Sequence, residues 1–171
     1  MPTKNDLANT ARNEALKTWH GAVTGLASNL QPVIELFPRW KKKEAEGLWC
    51  AAFVYHCCVN AGYKIPARPK ECVSGSLAGC GAWEEWAKAD NRVGWLPNTC
   101  LPQPGDIVIY DRVFEKKPHD HMGIVVEVRE DSLLAAEGNL NNVSGVVERP
   151  RDGHIRGYIS LPDNFNYEEK A

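Results

Sequence analysis

The residues with chemical potential are spread over three stretches. Cys50 opens the apolar run CAAFVYHCCVNAG, in which Phe53, Val54, Cys57, Cys58 and Ala61 recur at helical spacing. A cysteine in the first turn of a helix meets unpaired backbone N–H groups and the positive end of the helix dipole, and both favour its thiolate. The same N–H groups suit the oxyanion that forms when a thiolate attacks a carbonyl. The competing reading of Cys50 is a small buried core residue. Cys57 and Cys58 lie about two turns further on and are expected to face the core, away from the helix mouth.

His121 begins the run HMGIVV, and Gly123 leaves space on the same side of that strand. His119 follows Pro118 in a loop, so His121 is the preferred base, against the plainer reading of a structural histidine beside a sheet. Glu137-Gly138-Asn139 ends the next apolar run. If the two runs pair as a hairpin, Glu137 lies near His121 across the ladder. An acceptor on one imidazole nitrogen fixes the tautomer and leaves the other nitrogen for the thiol. Nucleophile, base and orienting group together make covalent acyl transfer the implied chemistry. A simple turn is the competing reading of Glu137-Gly138-Asn139. His20 and His56 read as helix-surface or core-edge residues, and His154 belongs to an Arg-Asp-Gly-His turn.

The positioning elements follow from periodicity. Asp6 to about Leu36 reads as helical, in one or two pieces, with Ala8, Ala11, Ala15, Trp19, Val23 and Leu26 on one face. Gly21 and Gly25 weaken that helix, and Pro32 fits the first turn of a second. Lys41 to Glu46 is a charge run, read as a solvated approach to the Cys50 helix. A helix is expected over Cys50 to Asn60 and a short one over Ala82 to Ala89. From Pro104 the period changes to that of strands: a Pro104-Gly105-Asp106 turn, then runs at 107–110, 121–128, 133–137, 145–149 and 155–161. Helices first and strands later predict an α+β fold, with N-terminal helices packed on an antiparallel sheet of about five strands. One domain over residues 1–171 is expected, with 1–46 a helical extension and 162–171 a polar tail.

Composition narrows the function classes. Twenty Lys and Arg against 22 Asp and Glu give a formal charge of -2, so there is no global basic footprint for nucleic acid. The polar N-terminus lacks the apolar core of a secretory signal, and neither long uncharged stretch reads as a membrane span. Six cysteines without a CxxC or a zinc-finger spacing argue against a structural zinc site, and without a signal sequence the expectation is a chain made in a reducing compartment. Pairing of Cys72, Cys80 or Cys100 in a disulfide stays open.

Four pieces in order resemble the CHAP amidohydrolases, which belong with the NlpC/P60 enzymes in the papain-like superfamily. They are Trp49-Cys50-Ala51-Ala52-Phe53-Val54, Pro104-Gly105-Asp106-Ile107-Val108, His121-Met122-Gly123-Ile124-Val125-Val126 and Glu137-Gly138-Asn139. The resemblance spans about Gly47 to Leu161. It implies a papain-like fold and a cysteine-dependent hydrolase cutting an amide in peptidoglycan, either the N-acetylmuramoyl-L-alanine bond or one within the peptide. It also implies Cys50 as nucleophile, His121 as general base and Glu137 as orienting group, with Asn139 competing or assisting. Asp106 would shape the turn beneath the site, and no metal or organic cofactor is required. Asp120 stands where the family often has Gly. Trp49, Trp83, Trp86 and Trp95 are candidates to line a groove, though burial of their apolar area is the simpler reading. The alternatives are a cysteine peptidase or deamidase acting on a protein, and a non-catalytic binding module of the same fold. A wall-cutting chain without a leader is expected to reach the wall or periplasm as an effector delivered between bacteria or as a phage endolysin. In the first case a cognate inhibitor protein is expected.

Overall fold

The computed structural model describes residues 1–23, 25–40 and 48–169. The first helix, α1, runs Lys4–Ala15 and starts at a capping box in which Thr3 and Asp6 satisfy each other's backbone N–H groups. Leu7, Ala8, Ala11 and Ala15 form its buried face. The expected continuation through Trp19, Val23 and Leu26 does not form. Thr18 adopts φ 53° and Gly25 φ 80°, His20 bridges Val143, and Val23 bridges Leu26. Left-handed residues break the hydrogen-bond ladder that a helix needs. A single turn, α2 (Gln31–Ile34), resumes with Pro32 in its first turn. The charge run 41–46 lies outside the described residues.

Helix α3 spans Cys50–Asn60, as its periodicity predicts, and is buried on every side from Cys50 to Cys58. Helix α4 spans Cys80–Ala89, two residues longer at its start than expected. Six strands follow: β1 Gly94–Pro97, β2 Ile107–Tyr110, β3 His121–Val128, β4 Ser132–Leu140, β5 Val143–Pro150 and β6 Ile155–Ser160. They form one sheet in the order β1-β6-β2-β3-β4-β5, and every pair is antiparallel. The sequence expectation lacked β1. Its four residues, Gly-Trp-Leu-Pro, carry no alternating pattern, and pairing with β6 makes them a strand.

The helices pack on one face of the sheet, giving the α+β papain-like arrangement. Leu7, Ala11, Val33, Phe53, Val54, Trp83, Ile107, Met122, Ile124 and Ala136 share a single core. The N-terminal segment therefore contributes to the same core as the strands. Val108, Tyr110, Val125, Leu133, Ala135, Ile155 and Tyr158 make a smaller cluster on the other face. Alternation along β2, β3 and β4 divides the two sets, and a register shift against β2 puts Ile155 and Tyr158 of β6 in the same one. The C-terminal segment docks as well: Phe165 is buried, Tyr167 Oη donates to Glu71 at 2.8 Å, and Arg92 lies over both rings. Among the described residues no helix is long and apolar enough to cross a membrane.

Candidate active site

The mouth of α3 is built to leave a negative charge uncompeted. Trp49 occupies the cap position and supplies no side-chain cap. The first intrahelical bond is Phe53 N–H to Trp49 C=O at 3.0 Å, so the N–H groups of residues 50–52 lack helix acceptors. The Ala51 N–H is directed to the Cys50 sulfur. Cys50 also meets two side chains, the Cys80 thiol with Sγ–Sγ 3.7 Å and the His121 imidazole.

His121 is the first residue of β3 and pairs with Tyr110 of β2. Met122, Ile124 and Val126 join the helix-side core, whereas Val125 joins the smaller cluster. His121 has the parity of Val125, so only its place at the end of the strand lets its ring meet the mouth of α3. The imidazole stacks on Tyr110 with centroids 5.8 Å apart, and Phe114 meets it edge-on at 4.7 Å. Phe114 itself is 48% exposed, forming the outer cover of a buried ring.

Glu137 Oε1 accepts from His121 Nε2 at 2.6 Å, which leaves the other ring nitrogen, Nδ1, for Cys50. The carboxylate is held from three sides. Arg149 donates through Nη2 to Oε1 at 2.6 Å and through Nε to Oε2 at 3.1 Å. Tyr110 Oη donates to Oε2 at 2.9 Å. Arg149 also lies over the Tyr110 and Phe114 rings. The sequence reading missed Arg149 and Tyr110. Their signal is the pairing of β4 with β5 and of β2 with β3, which sequence spacing does not reveal. Asn139 stands at a register shift of β4 with φ 59°, two residues beyond the glutamate.

Two glycines make this approach possible. A Cβ on Gly123 would lie 2.6 Å from Glu137 Cγ, so the space beside His121 is filled by the carboxylate side chain. A Cβ on Gly138 would lie 2.5 Å from Phe53 Cβ and 2.8 Å from the Trp49 ring. Gly138 thus lets the mouth of α3 settle directly on β4.

The electrostatics follow from these contacts. Contact with the Cys80 thiol and the His121 imidazole outweighs burial and holds the Cys50 thiol down, to about 5. Burial alone would push His121 down, but its bonds with Cys50 and Glu137 raise it to about 9. Burial pushes Glu137 up, and His121 and Arg149 overcome this and hold it below the ordinary carboxylate range. Both shifts favour a thiolate beside an imidazolium backed by a carboxylate. Cys58 is inert by contrast, because burial drives its thiol up.

The loop leading to His121 is tied down separately. Asp120 Oδ2 accepts from the N–H groups of Phe114 and Glu115 at 2.6 and 2.8 Å. His119 does not reach the thiol site. Its Nε2 is bonded to the buried Glu84 of α4, which also holds Arg156 Nε at 2.7 Å and Lys88 Nζ at 2.5 Å. His56 is buried under α1 against Glu14 at 2.9 Å, a core pair and not a surface residue. His20 lies in the loop after α1, off any helix. Trp49, Trp83 and Trp86 are fully buried, and of the four groove candidates only Trp95 keeps partial exposure. Asp106 ties the turn before β2: its Oδ2 accepts from Gln103 N–H at 2.7 Å, and its Oδ1 forms an ion pair with Lys4 Nζ at 2.5 Å. Cys50, Cys57, Cys58, Cys72, Cys80 and Cys100 are all free thiols.

Residues 41–139 match the family model of the CHAP domain. Among solved structures, that of Ly7917 aligns with a TM-score of 0.54 at 16% identity, covering 94% of this chain and 62% of that one. The chain thus spans less than two thirds of Ly7917, and the likeness is one of fold. An N-acetylmuramoyl-L-alanine amidase from Bacteroides uniformis aligns more loosely, with a TM-score of 0.43 and 10% identity over 92% of this chain and 99% of that one. No curated protein matches the chain in sequence.

Proposed function

This chain belongs to the CHAP family, and we propose that it hydrolyses an amide bond of bacterial peptidoglycan through a Cys50–His121–Glu137 thiol mechanism. The observation that carries the reading is the Cys50 sulfur at an uncapped helix mouth, its charge favoured by an imidazole whose Nε2 is held by Glu137 at 2.6 Å. The Cys50 thiolate attacks the amide carbonyl carbon, and the oxyanion is met by the free N–H groups of the first turn of α3. The imidazolium gives its proton to the departing amine. Water then attacks the thioester, with His121 taking its proton, and the acid leaves as the thiolate is restored. Glu137 keeps the ring in register and stabilises its charge. Asn139, at the adjacent bulge, would shape the strand end that presents Glu137.

Peptidoglycan is the substrate class the family membership favours over a protein amide. The test is incubation of the full chain with purified peptidoglycan, followed by mass spectrometry of released fragments. New amino termini without new reducing sugar ends are expected, and Cys50→Ala should abolish them. Intact peptidoglycan with folded enzyme, or equal cleavage by Cys50→Ala, would overturn the proposal. Product masses also separate the N-acetylmuramoyl-L-alanine bond from bonds within the peptide. Such an activity needs a route to the wall, by delivery from a neighbouring cell or by phage lysis. In a cell that makes it for delivery, a cognate inhibitor would protect the producer's own wall. Fractionation of recipient cells with and without the delivery machinery checks the first route.

A further inference from the structure

Cys80 makes and breaks no bond in the proposed hydrolysis, but its sulfur is the neighbour of the nucleophile and helps hold that thiol down. The two Sγ atoms are 3.7 Å apart, a contact distance that a disulfide shortens to about 2.05 Å. Both residues begin a helix, Cys50 in α3 and Cys80 in α4. Each is 9% exposed, whereas Cys57 and Cys58 are wholly buried. A small oxidant can therefore reach the pair while the deeper thiols stay shielded.

We propose that Cys50 and Cys80 form a peroxide-responsive thiol pair, in which Cys80 captures oxidised Cys50 as an intramolecular disulfide. The Cys50 thiolate attacks one oxygen of a hydroperoxide such as hydrogen peroxide. The O–O bond breaks, Cys50 becomes a sulfenic acid, and the second oxygen leaves as hydroxide that takes the His121 imidazolium proton to become water. The Cys80 sulfur then attacks the Cys50 sulfur. The S–O bond breaks, and the departing hydroxide leaves as water with the proton given up by Cys80. Two thiols lose two electrons in total, and one peroxide is reduced to two waters. Before oxidation the neighbouring Cys50 thiolate holds the Cys80 proton in place. A neutral sulfenic acid removes that negative charge and frees Cys80 to react. The outcome is a reversible block of the nucleophile in place of its irreversible over-oxidation.

The inference concerns the sulfur on which the proposed hydrolysis depends, but its readout is independent of any substrate. The full chain is treated with hydrogen peroxide near neutral pH, quenched with iodoacetamide, digested and mapped by mass spectrometry. A cross-linked peptide joining Cys50 to Cys80 is expected, with Cys50 alkylation lost and then recovered after dithiothreitol. In Cys80→Ser the same treatment should carry Cys50 to a sulfinic acid that dithiothreitol does not reverse. Cys80→Ala, with circular dichroism of both variants, guards against a folding defect, and the wild-type map stands without either. Wild-type Cys50 found as sulfinic acid beside an alkylated Cys80, or equal recovery in Cys80→Ser, would overturn the inference. A chain that forms the cross-link but leaves peptidoglycan intact would sink the hydrolase reading and leave this one standing.

Discussion

At the scale of single residues the proposed mechanism rests on one sulfur being anionic at a pH where a free thiol is not. The Cys50 thiol is held down to about 5 and the His121 imidazole is raised to about 9. The thiolate is present above the first value and is lost as pH falls through it. The imidazolium is present below the second and is lost as pH rises through it. Because the groups share a proton, both limbs belong to the pair. Iodoacetamide labelling of Cys50, followed by mass spectrometry across pH, should keep its rate down to about pH 5, whereas a free thiol loses thiolate below about pH 8.5. His121→Ala should move the midpoint of labelling upward by removing the cation. A midpoint unchanged in that variant would show that the imidazole does not hold the thiolate. Hydrolysis should follow a bell between the same limits, since it needs the imidazolium as proton donor as well.

At the scale of elements, close packing between α3, β3 and β4 sets the distances. Gly123 and Gly138 occupy the two faces of that junction, and their substitutions should fail differently. Gly123→Ala drives a methyl into Glu137 Cγ, 2.6 Å from the new Cβ. Activity on peptidoglycan should fall by roughly 10–100-fold as the orienting carboxylate shifts, with thermal stability changed by only about 1 kcal/mol. Gly138→Ala meets Phe53 and Trp49 and must lift α3 from the sheet. It should cost about 1–3 kcal/mol by overpacking, read as a fall in Tm of several degrees, with activity lost in parallel. Thermal melts and product assays on both variants check the contrast. The Glu84 cluster is a second junction, tying α4 to the loop that carries Phe114 over His121. Burial would raise the Glu84 carboxyl, but Arg156, Lys88 and His119 hold it down to about 2. A depressed folded value contributes stability that is full above the unfolded carboxyl range and is lost as pH falls toward 2. Glu84→Gln should therefore lower Tm at pH 7 and bring variant and wild type together in strong acid. Differential scanning calorimetry across pH reads this, and an equal gap at pH 7 and in strong acid would remove the cluster from the account.

For the molecule as a whole, the N-terminal helix behaves as part of the core and not as an appendage. Leu7 and Ala11 are fully buried with the strand residues, and Glu14 is buried against His56 at 2.9 Å. Lys4 reaches Asp106 at 2.5 Å. Gly105 adopts φ 93°, and a Cβ there would lie 2.2 Å from the Lys4 carbonyl, so α1 seats directly on the turn before β2. Removal of residues 1–16 should expose this apolar surface and leave the Glu14 partner His56 buried alone. The expected outcome is a chain without a cooperative melt, and a cooperative melt near that of the full chain would refute it.

Periodicity and residue type alone settled a good part of this architecture. The α3 boundaries, the turn at Gly105-Asp106 and five of the strands follow from local pattern, because each depends on neighbours within a few residues. Cys50 and His121 could be placed from sequence for the same reason, each beginning an element whose period is clear, whereas β4 runs on past Glu137 to Leu140. Strand β1 and the loop after α1 were not, since β1 exists only through pairing with β6, and left-handed backbone overrides the apolar spacing of residues 16–26. Arg149, Tyr110 and Cys80 acquire meaning only from contacts across 12, 27 and 30 positions of sequence. No local pattern encodes those contacts. Register between strands and the approach of two helix mouths are decided when the whole core packs, and that packing placed one guanidinium, one phenol and one extra thiol beside the residues the sequence had already singled out.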